Sequence, residues 1–162
     1  MNTLYLSGPI TSTAGNSLWA LEQNVRVAEE VYLALLQTGV CAPLCPHTMS
    51  RFFVGEIGWN AFMKVDLELL ERCDGLLLLP NWDLSSGAMQ EVNHAKQMEQ
   101  PFPLFAVGGP PAAGIGGINQ LTRWLALEET AAKILHDRII TAMVRWRTYD
   151  EQRREVQMQT DR

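Results

Sequence analysis

Asp66 and Glu91 are carboxylates on the apolar stripes of two successive helix-patterned segments. With Trp59 to Cys73 wound at about 100° per residue, Trp59, Phe62, Met63, Leu69, Leu70 and Cys73 all fall within about 60° of Asp66. Asn60, Lys64, Glu68, Glu71 and Arg72 take the opposite side. In the next segment Gly87, Ala88, Ala95 and Met98 surround Glu91, and such small neighbours leave room beside an acid. An ionised carboxylate is costly to bury without partners, so each acid must be paired, protonated or turned toward a polar cavity. Charges placed together where a sheet ends are a recurrent arrangement for chemistry. The plain structural alternatives are a carboxylate tied to one buried donor, and close helix-on-sheet packing that selects glycine and alanine.

The elements that must position these acids alternate regularly. Thr3 to Ile10 is a β-prone run ended by Gly-Pro, and Asn16 to Gly39 carries apolar residues at helical spacing with Gly39 as its stop. Val40 to Pro46 reads as a short strand that Pro43 confines to an edge or ends early. Leu76 to Leu79 is an unalternated apolar run of the kind buried on both faces, and "PFPLFAVGG" gives a further strand after Gln100. Gly108 to Gly117 reads as a mobile loop without a G-x-G-x-x-G fingerprint, and Leu121 to Trp146 as one helix.

This order predicts a single-domain α/β fold, a Rossmann-like (flavodoxin-like) parallel sheet flanked by helices with an additional C-terminal helix. The core is expected over residues 1–107. Residues 108–148 form a loop and helix that complete the same domain or make an oligomer interface, and 149–162 are a polar tail. Open sheets of this kind bind ligands beyond the carboxyl ends of their strands, which here are "SGPITSTAGNS", "PNWDLSSG" and "GGPPAAGIGG". At the start of the helix carrying Glu91, Ser86 is expected to cap the free N–H groups, leaving Ser85 for a ligand.

The 162 residues are 47% apolar and carry a net charge of −5 with no block of lysine or arginine, which gives a polymeric nucleic acid no basic surface. No apolar run approaches the ~18 residues that cross a bilayer, and "MNTLYLSGP" has no charged leader, so a cytoplasmic chain without a membrane partner is expected. Cys41, Cys45 and Cys73 are read as reduced core thiols. "CAPLCPH" offers Cys41, Cys45 and His47, but three ligands on a proline-stiffened backbone do not make a zinc site, and no metal is expected. The long terminal helix makes a homodimer or higher homo-oligomer the expected assembly, although the same helix can close its own domain.

"YLSGPI", Asn24 ahead of a helix ending at Gly39, and "WNAFMKVDLELLERCDGLLLLPNWDLSSGAMQEVNHA" together resemble the nucleoside 2-deoxyribosyltransferase-like superfamily over about residues 3 to 107. The most specific part is an ordered set: an Asp on one helix, a "CDG" turn, an apolar strand ending in Leu-Pro, then "W-D-x-S-x-G-A-x-x-E". The resemblance implies a transferase or hydrolase of nucleotide metabolism, an N-glycosidase needing no cofactor. Glu91 would attack the anomeric carbon, Asp66 would handle protons, and Tyr5 would position Glu91. Gly8 and Pro9 would shape the first ligand loop, Trp82 would flank the base, and Ser85 with Gly87 would hold a phosphate or the sugar's 5′ end.

Deoxyribosyltransferases acting on free nucleosides usually carry an aspartate six residues before the nucleophile, where this chain has Ser85. The related 2′-deoxynucleoside 5′-phosphate N-hydrolases carry a serine there, so the resemblance leans toward a nucleoside 5′-monophosphate. The alternative is a protein that binds, sequesters or senses a nucleotide in the same pocket without turnover.

Overall fold

The computed structural model describes residues 1–11, 18–53, 55–108 and 112–160, with the side chains of 18–20 and 146–160 outside the description. Five parallel strands form one sheet in the order β2-β1-β3-β4-β5. They are β1 (Asn2–Ser7), β2 (Cys41–Leu44), β3 (Gly75–Leu78), β4 (Leu104–Ala106) and β5 (Ile115–Gly116). The helices are α1 (Leu18–Leu36), α2 (Pro46–Ser50), α3 (Trp59–Glu71), α4 (Ser86–Gln97), α5 (Ile118–Trp124) and α6 (Glu129–Thr160). A 3₁₀ turn at Trp82–Leu84 follows β3. This is the α/β, Rossmann-like arrangement that the strand–helix alternation predicts.

Alternation along the central strands divides the core in two. Leu4 and Leu6 of β1 join Leu77 and Leu79 on one face, against Val31 and Leu35 of α1 and Leu135 and Ile139 of α6. Tyr5 joins Leu76 and Leu78 on the other face, against Leu70 of α3 and Val92 of α4. All four leucines from 76 to 79 are at most 2% exposed. Each such burial stabilises the fold by about 1.5–3 kcal/mol, which is why this strand shows no polar alternation. Pro43 sits on the edge strand β2 opposite Leu4, where its missing N–H costs no ladder bond to a further strand.

Three expectations need correction. The segment from Leu121 to Trp146 is not one helix, because Ala126 adopts a left-handed conformation at φ 52°. That turn lets Leu121 and Leu125 enter the core from α5 while α6 redirects along α1. Helix α6 continues through Thr160, so the polar tail extends a helix. The region from Gly108 to Gly117 is not wholly loop, since Ile115 and Gly116 pair with Leu104 and Phe105 as an edge strand. A short helix at Pro46–Ser50, with proline in its first turn, adds an element that was not expected. The expected helix start at Asn16 lies outside the described residues.

Strand order reverses between β1 and β3, because α1 carries the chain from β1 to β2 while the next connection returns it to the other side of β1. A crevice opens at the carboxyl ends of strands at such a reversal.

Candidate functional site

A cavity of about 480 Å³ occupies that crevice. Its polar floor comes from Ser7 at the end of β1 and Glu91 on α4, and Asp66 of α3 enters from the side. Ile57, Trp59, Phe62 and Leu84 form an apolar wall. Glu91 is 6% exposed, yet its carboxylate meets two hydroxyls and no cation in the described structure. Tyr5 donates its phenolic proton to Oε1 at 2.6 Å, and Ser7 donates its hydroxyl to Oε2.

Burial pushes the Glu91 carboxyl up to about 7, against the two hydroxyl bonds, which favour its charged form. The nearby Asp66 charge adds to the rise. Asp66 itself is pushed up to about 6 by burial, and its charge hinders ionisation of Glu91. Burial, followed by the charges of Glu91 and Asp66, holds the Tyr5 phenol far above its usual range, so it remains a donor. The two acids and Tyr5 therefore form one electrostatic unit.

Local structure explains the placement. Tyr5 and Ser7 lie two residues apart on β1 and share the face that α4 covers. Gly8 then brings the chain so close to β3 that a β-carbon would stand 2.8 Å from Cβ of Leu79, nearer than carbon atoms pack. Asn24 donates from its side-chain amide to the Ile10 carbonyl at 3.1 Å, fastening the loop after β1 to α1. At the opposite end of the sheet, Asp74 accepts from the backbone N–H of Thr3 at 2.7 Å and from its hydroxyl at 2.8 Å. The "CDG" turn thus fixes the register of β1 against β3 and lies away from the cavity.

Of the residues singled out in the sequence, Glu91, Asp66, Gly8, Ser85 and Gly87 line the cavity, and Tyr5 reaches it through Glu91. Pro9 does not line it but borders a small crevice with Asn24, Val27, Leu79 and Pro80. Trp82 is not a cavity residue either: it is 5% exposed and packs in the core with Tyr5, Leu76 and Leu78. The 3₁₀ turn, entered through a left-handed Asn81, rotates the indole inward. Ser85, not Ser86, is the helix cap, accepting from the Ala88 N–H at 3.3 Å. Ser86 opens the helix and is exposed at the cavity edge.

Ser7, His47 and Trp59 are cavity residues that sequence reasoning did not assign. The i, i+2 relation to Tyr5 points to Ser7, and a half-exposed Trp59 on the stripe of Asp66 points to the wall. His47 is 2% exposed, and burial lowers it to about 4 against the opposing pull of the Pro9 and Gly8 backbone, so it is neutral near pH 7. No group of three or more His, Cys, Asp or Glu able to hold a metal occurs among the described residues. No helix among them is long and apolar enough to cross a membrane.

A family described as a domain of unknown function, DUF4406, matches residues 2–102. The chain belongs to the DUF4406 family. The matched stretch contains β1 through α4 and with them every described cavity residue, while β4, β5, α5 and α6 follow it. No curated protein and no solved structure matches the chain.

Proposed function

We propose that this protein cleaves or exchanges the N-glycosidic bond of a nucleoside or nucleotide through a glutamyl–sugar ester. The observation that carries this reading is the environment of Glu91: a buried carboxylate on the floor of an open cavity, oriented by two hydroxyl donors and unneutralised by any described cation. The same two hydroxyls would satisfy a purely structural carboxyl, but such a group needs no open cavity beside it.

The chemistry follows from charge. As the bond from C1′ to the base nitrogen stretches, positive charge develops over C1′ and the ring oxygen, and a fixed anion below the sugar stabilises it. A Glu91 oxygen then bonds to C1′ while the bonding pair leaves with the base. Asp66, in its protonated form, supplies the proton that the departing nitrogen takes up. In the second step water attacks C1′, Asp66 accepts its proton, and the Glu91 carboxylate is released. A second base in place of water gives exchange. Tyr5 and Ser7 hold the carboxylate still through both steps, and the wall of Trp59 and Phe62 offers a flat apolar face for the base. The resemblance to the nucleoside 2-deoxyribosyltransferase-like superfamily supports the same assignment of roles.

The test is incubation with ribo- and deoxynucleosides and their 5′-monophosphates, with and without an acceptor base, followed by chromatography of the released bases. Base release or exchange is expected, with Glu91→Gln lowering it by orders of magnitude and abolishing a glycosyl adduct seen by intact mass. Tight binding with no base released from any substrate would reject the reading in favour of a nucleotide-binding protein.

A further inference from the structure

The cavity is electrostatically one-sided. Among the described residues that line it are two carboxylates, Asp66 and Glu91, and no lysine or arginine. Residues 12–17, which follow the cavity residues Gly8, Ile10 and Thr11 in sequence, include no lysine, arginine or histidine. Arg51, one residue beyond the cavity residue Ser50, is bound to Glu22 and Glu29 of α1 at 2.7 Å each. Lys64 is exposed on α3, two residues from Asp66 and therefore on a different side of the helix. His47, the remaining nitrogen base in the lining, is neutral near pH 7.

We propose that this cavity selects a nucleoside with a free 5′ hydroxyl over the corresponding 5′-monophosphate. The inference rests on the N-glycosidic reading of the site and reverses the lean that Ser85 gave to the sequence. A phosphomonoester brings a charge of roughly −1.5 to −2 into a space already holding two acids. The N-terminus of α4 offers roughly +0.5 of an elementary charge in return, less than one of those acids removes. Ser85 already accepts the Ala88 N–H as the helix cap. Its hydroxyl hydrogen remains available, which suits one neutral oxygen rather than three anionic ones. A dianion in the cavity would also favour the protonated form of Glu91, and a protonated nucleophile does not attack.

The experiment compares a deoxynucleoside with its 5′-monophosphate, base by base, on the full chain. Turnover is read as kcat/KM, and binding to Glu91→Gln by calorimetry. The nucleoside is expected to lead by roughly tenfold or more in kcat/KM and by a smaller factor in affinity for Glu91→Gln, which lacks one of the two acids, with nucleoside affinity that changes little with salt. Ser86→Arg, which adds a cation at the exposed edge of the cavity, should narrow the gap by improving the monophosphate. A wild-type preference for the monophosphate, or equal use of both, overturns the proposal while leaving the N-glycosidic reading intact. Preferential nucleoside binding with no base released sustains the charge selection and rejects the reaction instead. Binding of neither compound would overturn both.

Discussion

Tyr5 and Glu91, separated by 86 residues in sequence, meet at 2.6 Å between phenol and carboxylate, and the bond joins β1 to α4, across the sheet from α1. Its polarity is fixed, because the phenol stays protonated and can only donate to the ionised acid. Tyr5→Phe removes that donor without opening the cavity. A hydrogen bond to a charged group is worth about 1.5–3 kcal/mol, so the Glu91 carboxyl should rise further above about 7. Near pH 7 kcat/KM is expected to fall ~10- to 100-fold, with the acidic limb of the pH profile displaced upward. An unchanged profile would show that Tyr5 only packs.

The pH dependence of the wild type follows from the pair. Glu91 must be ionised to attack, and Asp66 must be protonated to assist the departing base, yet Glu91 titrates at about 7 and Asp66 at about 6. The productive form carries one proton on the pair, so kcat/KM should be a narrow bell with its maximum between these two values. The limbs belong to the coupled pair rather than to either residue. Asp66→Asn should abolish the alkaline fall, leaving a single rise toward a lower plateau. A wild-type rate still climbing above pH 8 would remove Asp66 from the acid role.

Helical periodicity made the two acids legible, since a charged residue on an apolar stripe is visible without coordinates and both reach the same cavity. The unalternated leucines gave the central strand for a similar reason, burial on both faces. Positions decided by a single turn were harder. Whether Ser85 or Ser86 caps α4, and whether Trp82 points in or out, depends on the 3₁₀ turn that precedes the helix. Ala126 interrupts a helical pattern with a strong helix former, so the break reflects the packing of α5 and α6 rather than local propensity. Ile115 and Gly116 form a strand too short to show a period.

Burial of Glu91 has a cost that stability measurements can read. Its carboxyl sits at about 7 in the folded protein against 4.5 ordinarily, so the fold favours the protonated form. The stability linked to that proton is fully present below the ordinary value and is lost as pH rises through about 7. Glu91→Gln cannot ionise and escapes this loss. Urea unfolding should show the variant gaining about 2 kcal/mol on the wild type between pH 5 and pH 8. Comparing the two proteins at each pH cancels the opposite trend from His47, whose depressed value makes protonation unfavourable to the fold as pH falls. A constant difference across that range would mean that the carboxylate is solvated in the folded state.

Trp82 and Trp59 give paired variants that separate packing from ligand contact. Trp82 is 5% exposed, buried beside Tyr5 and Leu78, and its indole N–H has no hydrogen-bond partner. Trp82→Phe removes that unsatisfied donor along with part of the buried ring, so the loss of packing should dominate at about 1–3 kcal/mol of stability. KM and base preference should not move. Trp59 is 49% exposed on the cavity wall, where truncation leaves little void behind. Trp59→Ala should therefore leave urea stability within about 1 kcal/mol of wild type and raise KM, most for purines, whose larger faces gain most from stacking on the indole. The reverse pattern, with Trp82 controlling KM and Trp59 controlling stability, would place the base on the other side of Glu91 and require a different pose for the sugar.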